Sequence, residues 1–255
     1  MLSDTQRALL AQQDAAWLRL PLRVGGDARP MAAHLREVVR LLKSGGASPC
    51  REAVTYLTGL YERSITPRSG IACARGCAFC CVQTVTVTAA EAFAVAAEVR
   101  AREDLAARLL AEPERRLGEP KSAWRDCAFL GEDKACSVYD ARPLACHAFI
   151  SFDLQACIGF FAGDAPQPAF TPGDRQQMLY VCRMMLCAAH LLTGHGDQPG
   201  HELSGAVAAI LKTPDAEARW LMGEDILRDV PQGPPIPPRV AEEIRRMAAF
   251  VAPTL

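Results

Sequence analysis

The sequence predicts a mainly α protein: a helical scaffold around an irregular, cysteine-rich segment expected to bind metal. Three observations lead there. Apolar residues recur at helical spacing along most of the chain, and strand-like alternation is confined to Thr84-Val85-Thr86-Val87. Helix starts are marked by a Ser or Thr cap or by a first-turn proline. Eight of the 11 cysteines lie between Cys73 and Cys157.

Taken in chain order, Ser3 with Gln6 reads as a capping-box start. Leu35, Val38, Val39 and Leu42 share one helical face, and Gly45-Gly46 ends that helix. Ser48-Pro49 restarts it as cap and first-turn proline, with Val54, Leu57 and Tyr61 on one face. Thr88 caps a long Ala-rich helix, with Glu91 three residues on. That helix is expected to reach about Arg100, and a second to reach about Leu117. Thr171-Pro172, Thr213-Pro214 and Pro238-Arg239 open three more. The first of these ends near Gly194, and the last carries Val240, Ile244, Met247, Ala248 and Val251 on one face. Pro231 to Pro238 is extended, in keeping with a strap or spacer before that helix.

The organisation read from this is residues 1–70 as N-terminal helices, 71–160 as the cysteine segment and 161–255 as C-terminal helices, together one compact domain. A chain of 255 residues buries roughly three-quarters of its unfolded surface, so it needs no disulfide staples. With 28 basic and 29 acidic residues the formal charge is −1, which gives no field for nucleic acid or an anionic membrane. Half the residues are hydrophobic and 22% charged, which excludes a disordered chain. The start lacks a basic leader with a long apolar core, and no window approaches the roughly 20 apolar residues of a membrane helix. The expectation is a cytoplasmic protein with reduced thiols, in which clustered cysteines point to metal or catalysis rather than disulfides.

The first cysteine block is Cys73-Ala-Arg-Gly-Cys77-Ala-Phe-Cys80-Cys81, four cysteines in nine residues. The later cysteines are Cys127, Cys136, Cys146 and Cys157, separated by 9, 10 and 11 residues, so they form no second close pair. Separate chain segments must therefore converge on any shared site. Thiolates are soft ligands suited to zinc, copper(I) and iron–sulfur clusters. Eight of them would satisfy two four-cysteine centres: two zincs, two clusters or one of each.

This ordered pattern resembles the family of bacterial cysteine-cluster, zinc- or iron-chelating domains, in which a C-x-x-C-x-x-C-C block precedes a later cysteine and a C-x-I-Y-x-x-R-P-x-x-C-R element. Matching positions here are Cys77, Cys80, Cys81, Cys127, Cys136, Tyr139, Arg142, Pro143 and Cys146, with Cys157 at the last place. The resemblance covers about residues 70–160 and implies metal chelation without supplying a reaction. The flagellin lysine methylase is similar in carrying such a cluster, which implies an enzyme role as the alternative. Two departures stand out. The first gap is three residues, and His147 follows Cys146 where the family usually has Arg. His147 is thus a candidate extra ligand, although a hydrogen-bonded role outside the ligand set is commoner. The three-residue gap also makes a C-x-x-x-C-x-aromatic-C run with Phe79, similar to the radical S-adenosylmethionine signature; no βα repeat follows it. Arg142 is expected either to offset thiolate charge or to make a surface ion pair, Pro143 to set a turn, and Tyr139 to pack in the core.

The remaining candidates are weaker. Cys50, in a helix first turn, and Cys182 and Cys187, five residues apart on different helix faces, are expected to be ordinary thiols. His190, His195 and His201 are expected to be exposed or hydrogen-bonded, because Gly194 separates them. No phosphate loop, dinucleotide fingerprint or serine elbow is present. The function expected is a metal-binding protein holding zinc, iron or an iron–sulfur cluster. The alternative is an iron–sulfur metalloenzyme that modifies a protein side chain, methyltransferase-like or of the radical type. The expected partners are a metal ion and a protein, not nucleic acid or membrane.

Overall fold

A computed structural model of the chain describes residues 29–65, 70–112, 123–162, 173–196 and 200–255. The Ser3–Gln6 cap, the Thr171-Pro172 start and the stretch near Leu117 lie outside them. Helix α1 spans Arg29–Leu42, and Leu35, Val38, Val39 and Leu42 are all buried, as their spacing predicts. Gly45 follows at φ +66°, a conformation that suits a residue without Cβ.

Helix α2 spans Pro49–Ser64 with its proline in the first turn, but its cap is not the expected one. Ser48 makes no capping bond. Its hydroxyl instead donates to Glu217 at 3.1 Å, and Glu217 accepts from the Cys50 amide at 2.7 Å. A carboxylate brings both an acceptor and a negative charge to the helix N-terminus, so it displaces a neutral hydroxyl there.

The predicted strand shrinks to β1, Thr86–Val87, which pairs antiparallel with β2, His201–Glu202. Helix α3, Ala89–Arg100, opens with the predicted capping box: the Glu91 amide donates to the Thr88 hydroxyl, and the Thr88 amide donates to the Glu91 carboxylate at 2.8 Å. Nearly every side of α3 is buried, so it is the central helix. It packs on α2, on α4 (Glu103–Ala111) and on α8 (Leu203–Lys212). Two short helices follow in the cysteine segment, α5 (Leu144–Ala148) and α6 (Leu154–Ala162). The long α7, Gly173–Leu192, packs on α1 and on the last helix, α10, Pro238–Val251; the short α9, Ala216–Leu221, packs on α8.

One apolar cluster of buried residues runs from Ala32 to Val251, with Phe93 against Trp220 at 5.2 Å between ring centres. The proline run is the expected strap: Gln232 bridges to His201, and Gly233 donates to the Gly200 carbonyl at 2.7 Å. A Cβ at Gly233 would stand 3.1 Å from the Thr86 side chain, so the strap lies close over β1. Among the described residues, no helix is long and apolar enough to cross a membrane.

Candidate metal centre

The cysteine segment is built from turns rather than packed elements. Gly76, at φ +90°, reverses the first loop, and the Cys77 amide donates back to the Ala74 carbonyl. A 3₁₀ turn, Phe79–Val82, carries Cys80 and Cys81. The Cys127 amide donates to the Cys81 carbonyl at 2.6 Å, which joins the first block to the second. Leu130 then bridges antiparallel to Cys136, and the Ser137 amide donates to the Phe129 carbonyl, forming a small hairpin. Helix α5 presents Cys146. The Leu144 amide at its start donates to the buried Glu91 carboxylate at 3.0 Å, so the capping box of α3 also anchors the cysteine loop.

Seven cysteines line one cavity of about 410 Å³: Cys73, Cys77, Cys80, Cys81, Cys127, Cys136 and Cys146. All 11 cysteines of the chain are free thiols. Cys157 is buried on α6 and is not part of that lining. Its sulfur is near enough to Cys73 to add to the rise that burial imposes on the Cys73 thiol. Among the described residues, four cationic side chains line the same cavity, Arg75, Lys134, Arg142 and Arg183, and no carboxylate does.

Arg142 lies flat over the Tyr139 ring at 4.1 Å, and its buried Nε has no hydrogen-bond partner among the described residues. Its side chain stands on the cavity wall. Tyr139 lines the cavity under two guanidiniums, Arg142 and, at 5.9 Å, Arg75, instead of packing in the core. His147 does not line the cavity. It is buried beside Tyr61, with Nδ1 3.5 Å from Glu62, and burial holds it neutral with a pKa lowered to about 3. The helical turn of α5 sends Cys146 and His147 in different directions, which is the reason for the difference from the ligand expectation.

Burial pushes the thiols of Cys73, Cys136 and Cys146 up, and a hydrogen bond with Cys80, then burial, does the same to Cys81. Arg142 opposes the rise at all four. Without metal these sulfurs therefore keep their protons. Among the described residues no three His, Cys, Asp or Glu side chains stand close enough to hold an ion as placed. Neutral thiols have no reason to converge; a bound metal would displace their protons and favour the thiolate form. The donor set fits such a group. Soft sulfurs ring one space, and four cations, with no competing carboxylate among the described residues, suit the net −2 that four thiolates leave on a divalent ion.

Arg75 sits within the first block, but Arg183 escapes the sequence. It lies on α7 beside buried Cys182 and Met184 and donates to the Thr86 carbonyl at 3.2 Å. A charge inside an apolar stripe is the signal that could have found it. Cys50 and Cys182 are buried thiols as expected, Cys182 pushed up to about 12 by burial. Cys187 lines a second cavity of about 180 Å³ under the proline strap, which shares Thr86 and Arg183 with the cysteine cavity. The histidines differ from expectation. His195 is hydrogen-bonded to the Trp220 carbonyl at 2.7 Å, but buried His190, at Nε2, and buried His201, at both ring nitrogens, have no hydrogen-bond partner among the described residues.

Residues 72–163 match the model of the CxxCxxCC family, described as a putative zinc- or iron-chelating domain. No curated protein and no solved structure matches the chain.

Proposed function

We propose that the cysteine cavity is a thiolate metal centre, holding zinc, iron or an iron–sulfur cluster, and that Cys73, Cys77, Cys80, Cys81, Cys127, Cys136, Cys146 and Cys157 supply its ligands. One observation carries the reading: among the described residues, seven thiols and four cations, with no carboxylate, line a single space. A bound ion or cluster would supply Lewis acidity or electron storage, according to its identity. Arg142 would hold the negative charge of the thiolates while Tyr139 fixes its plane. In this reading the helices of 1–70 and 161–255 support the chelating segment within one domain. A reducing compartment such as the cytoplasm keeps the thiols available. The near-zero net charge favours a metal and a protein as partners over nucleic acid.

The test is metal analysis of full-length protein purified without oxygen. Transition metal at one equivalent per chain or more is expected. A chain free of zinc, iron and copper, after expression with each supplied, sinks the reading. A visible spectrum that bleaches on reduction assigns a cluster; a colourless zinc-loaded chain assigns zinc.

A metalloenzyme with an open metal position is the second reading. The observation in its favour is that the cavity extends past the sulfurs to Gln83, Arg183 and Leu203 and adjoins the strap cavity at Thr86. An open position takes an added ligand, whereas a closed four-cysteine centre takes none. Addition of azide or cyanide to the loaded protein should shift its metal spectrum; an unchanged spectrum of the metal or of its cobalt substitute removes this reading.

A further inference from the structure

We infer that the cavity under the proline strap is a binding site for a small carboxylate with an apolar tail. The tail fills the cavity, and the carboxylate pairs with Arg183 where this space meets the ring of thiols. The inference goes beyond the metal-centre reading and does not depend on what the sulfurs hold.

The space is built by three parts of the fold: the middle of α7, the strap and the first turns of α10. Its floor is apolar and buried, formed by Met184, Val240 and Ile244. Leu179 and Ile236 stand half-buried at its rim. The roof is stiff, because Pro234, Pro235 and Pro237 have fixed φ, and they bring no amide donor to the space. It is tied down before the prolines, where Gln232 bridges to His201 and the Gly233 amide donates to the Gly200 carbonyl at 2.7 Å. After them it runs straight into α10. A roof held at both ends keeps the cavity formed before a ligand arrives, so binding costs little ordering. Packed interiors leave few voids larger than a water molecule, and about 180 Å³ is well beyond that.

The charge at the inner end selects the ligand. Among the described residues, Arg183 is the one charged side chain on the wall of the strap cavity, and no carboxylate lines either cavity. Arg183 donates one hydrogen bond, to the Thr86 carbonyl at 3.2 Å, and makes no ion pair with a described residue. A guanidinium carries five donors in a planar fork that matches a carboxylate, so most of the fork is left for a ligand. Gly200 keeps that place clear, since a Cβ there would stand 3.2 Å from the guanidinium. The other cations of the cysteine cavity, Arg75, Lys134 and Arg142, do not line the strap cavity, and a single fork suits a monoanion. Beyond the fork the floor offers hydrocarbon and no charge, which calls for an aliphatic or aromatic tail. A cavity of about 150 Å³ holds benzene, so the tail that fits here has about six or seven carbons.

The experiment is calorimetric titration of full-length protein, purified without oxygen, with straight-chain carboxylates from acetate to decanoate. Affinity should rise by up to about fourfold per methylene and level off near six or seven carbons. Hexanol should bind about 10-fold or more weaker than hexanoate, and hexylamine should not bind. Hexanoate should slow amide exchange in 179–187 and 232–244. Arg183→Gln should reduce hexanoate to the affinity of hexanol, and Ile236→Trp, which fills the space from the half-buried strap, should remove both. The comparison of hexanoate with hexanol on the unaltered chain needs no variant to fold. Equal affinity for those two, or no binding of any chain length at millimolar concentration, overturns the inference. So does acetate binding as well as hexanoate, which would place the carboxylate on the metal or on a surface cation. None of these results bears on whether the cysteines hold metal, which metal analysis decides separately.

Discussion

From Ala89 to Ala96 every residue of α3 is buried, whereas from Gly70 to Thr86 none is. The two stretches are neighbours in the chain and are stabilised differently. The helical region excludes water with Leu35, Leu57, Phe93, Leu186 and Ile210, each almost wholly removed from solvent. The cysteine region has turns, a two-residue bridge and half-buried sulfurs, with Phe129 and Val138 as its few apolar anchors. An apolar core is self-sufficient once formed; a ring of thiols has little to hold it closed except what the sulfurs bind. Glu91 is the joint between the two, since one carboxylate caps α3 and receives the start of α5.

The largest expected effect follows from removing metal. A strong chelator under reducing conditions should abolish amide-exchange protection from 70 to 86 and from 127 to 147, while α1, α2 and α3 keep theirs. Hydrogen exchange read by mass spectrometry checks this; simultaneous loss of protection in α1 would mean that the two regions unfold as one unit. Next comes the core. Leu57→Ala should cost about 2–5 kcal/mol in urea melts, since it empties a fully buried site, and should leave metal per folded chain unchanged. A fall in metal content matching the fall in stability would erase the contrast between the regions.

Glu91→Ala should cost about 1–3 kcal/mol, because three donors from Thr88 and Leu144 lose their acceptor. It should also weaken metal retention, as a joint must. If stability drops and the chelator concentration for half-release stays at the wild-type value, Glu91 serves the helix alone. The smallest effect is a slope with pH. Burial lowers the His190 pKa to about 3, with His195 and His201 adding to it. A lowered histidine pKa favours the neutral folded form. Its contribution is therefore complete above the unfolded value near 6.5 and is lost as pH falls toward 3. Stability should decline by about 1.4 kcal/mol per pH unit in that window from this one group. His190→Phe should flatten the slope; an identical slope in the variant would assign the acid sensitivity elsewhere.

The helices were legible because their signals are local. The face Leu35–Leu42, the Thr88–Glu91 box and the proline at the start of α10 each reside within one or two turns of chain. The cap of α2 was not legible, because the group that outcompetes Ser48 comes from Glu217, far along the chain. The strand signal at 84–87 survived only where β2 supplied a partner. For the site, spacing alone marked the cysteines, and their convergence on one cavity could not be read from gaps of 9, 10 and 11 residues. His147, for which the commoner hydrogen-bonded role ranks above a ligand role, packs beside Tyr61 and does not line the cavity, whereas Arg183, which no motif marked, does line it.

The capping of α2 by Glu217 has a consequence for how the protein is made. Cys157 is synthesised 60 residues before Glu217, since 217 − 157 = 60. At ~5–20 residues per second that interval is about 3–12 s. During it the complete array of thiols exists while the helix beside it still lacks its closing carboxylate. The cysteine loop is therefore made on an unfinished scaffold, and anything that binds its thiols at that stage would meet them before α2 is capped.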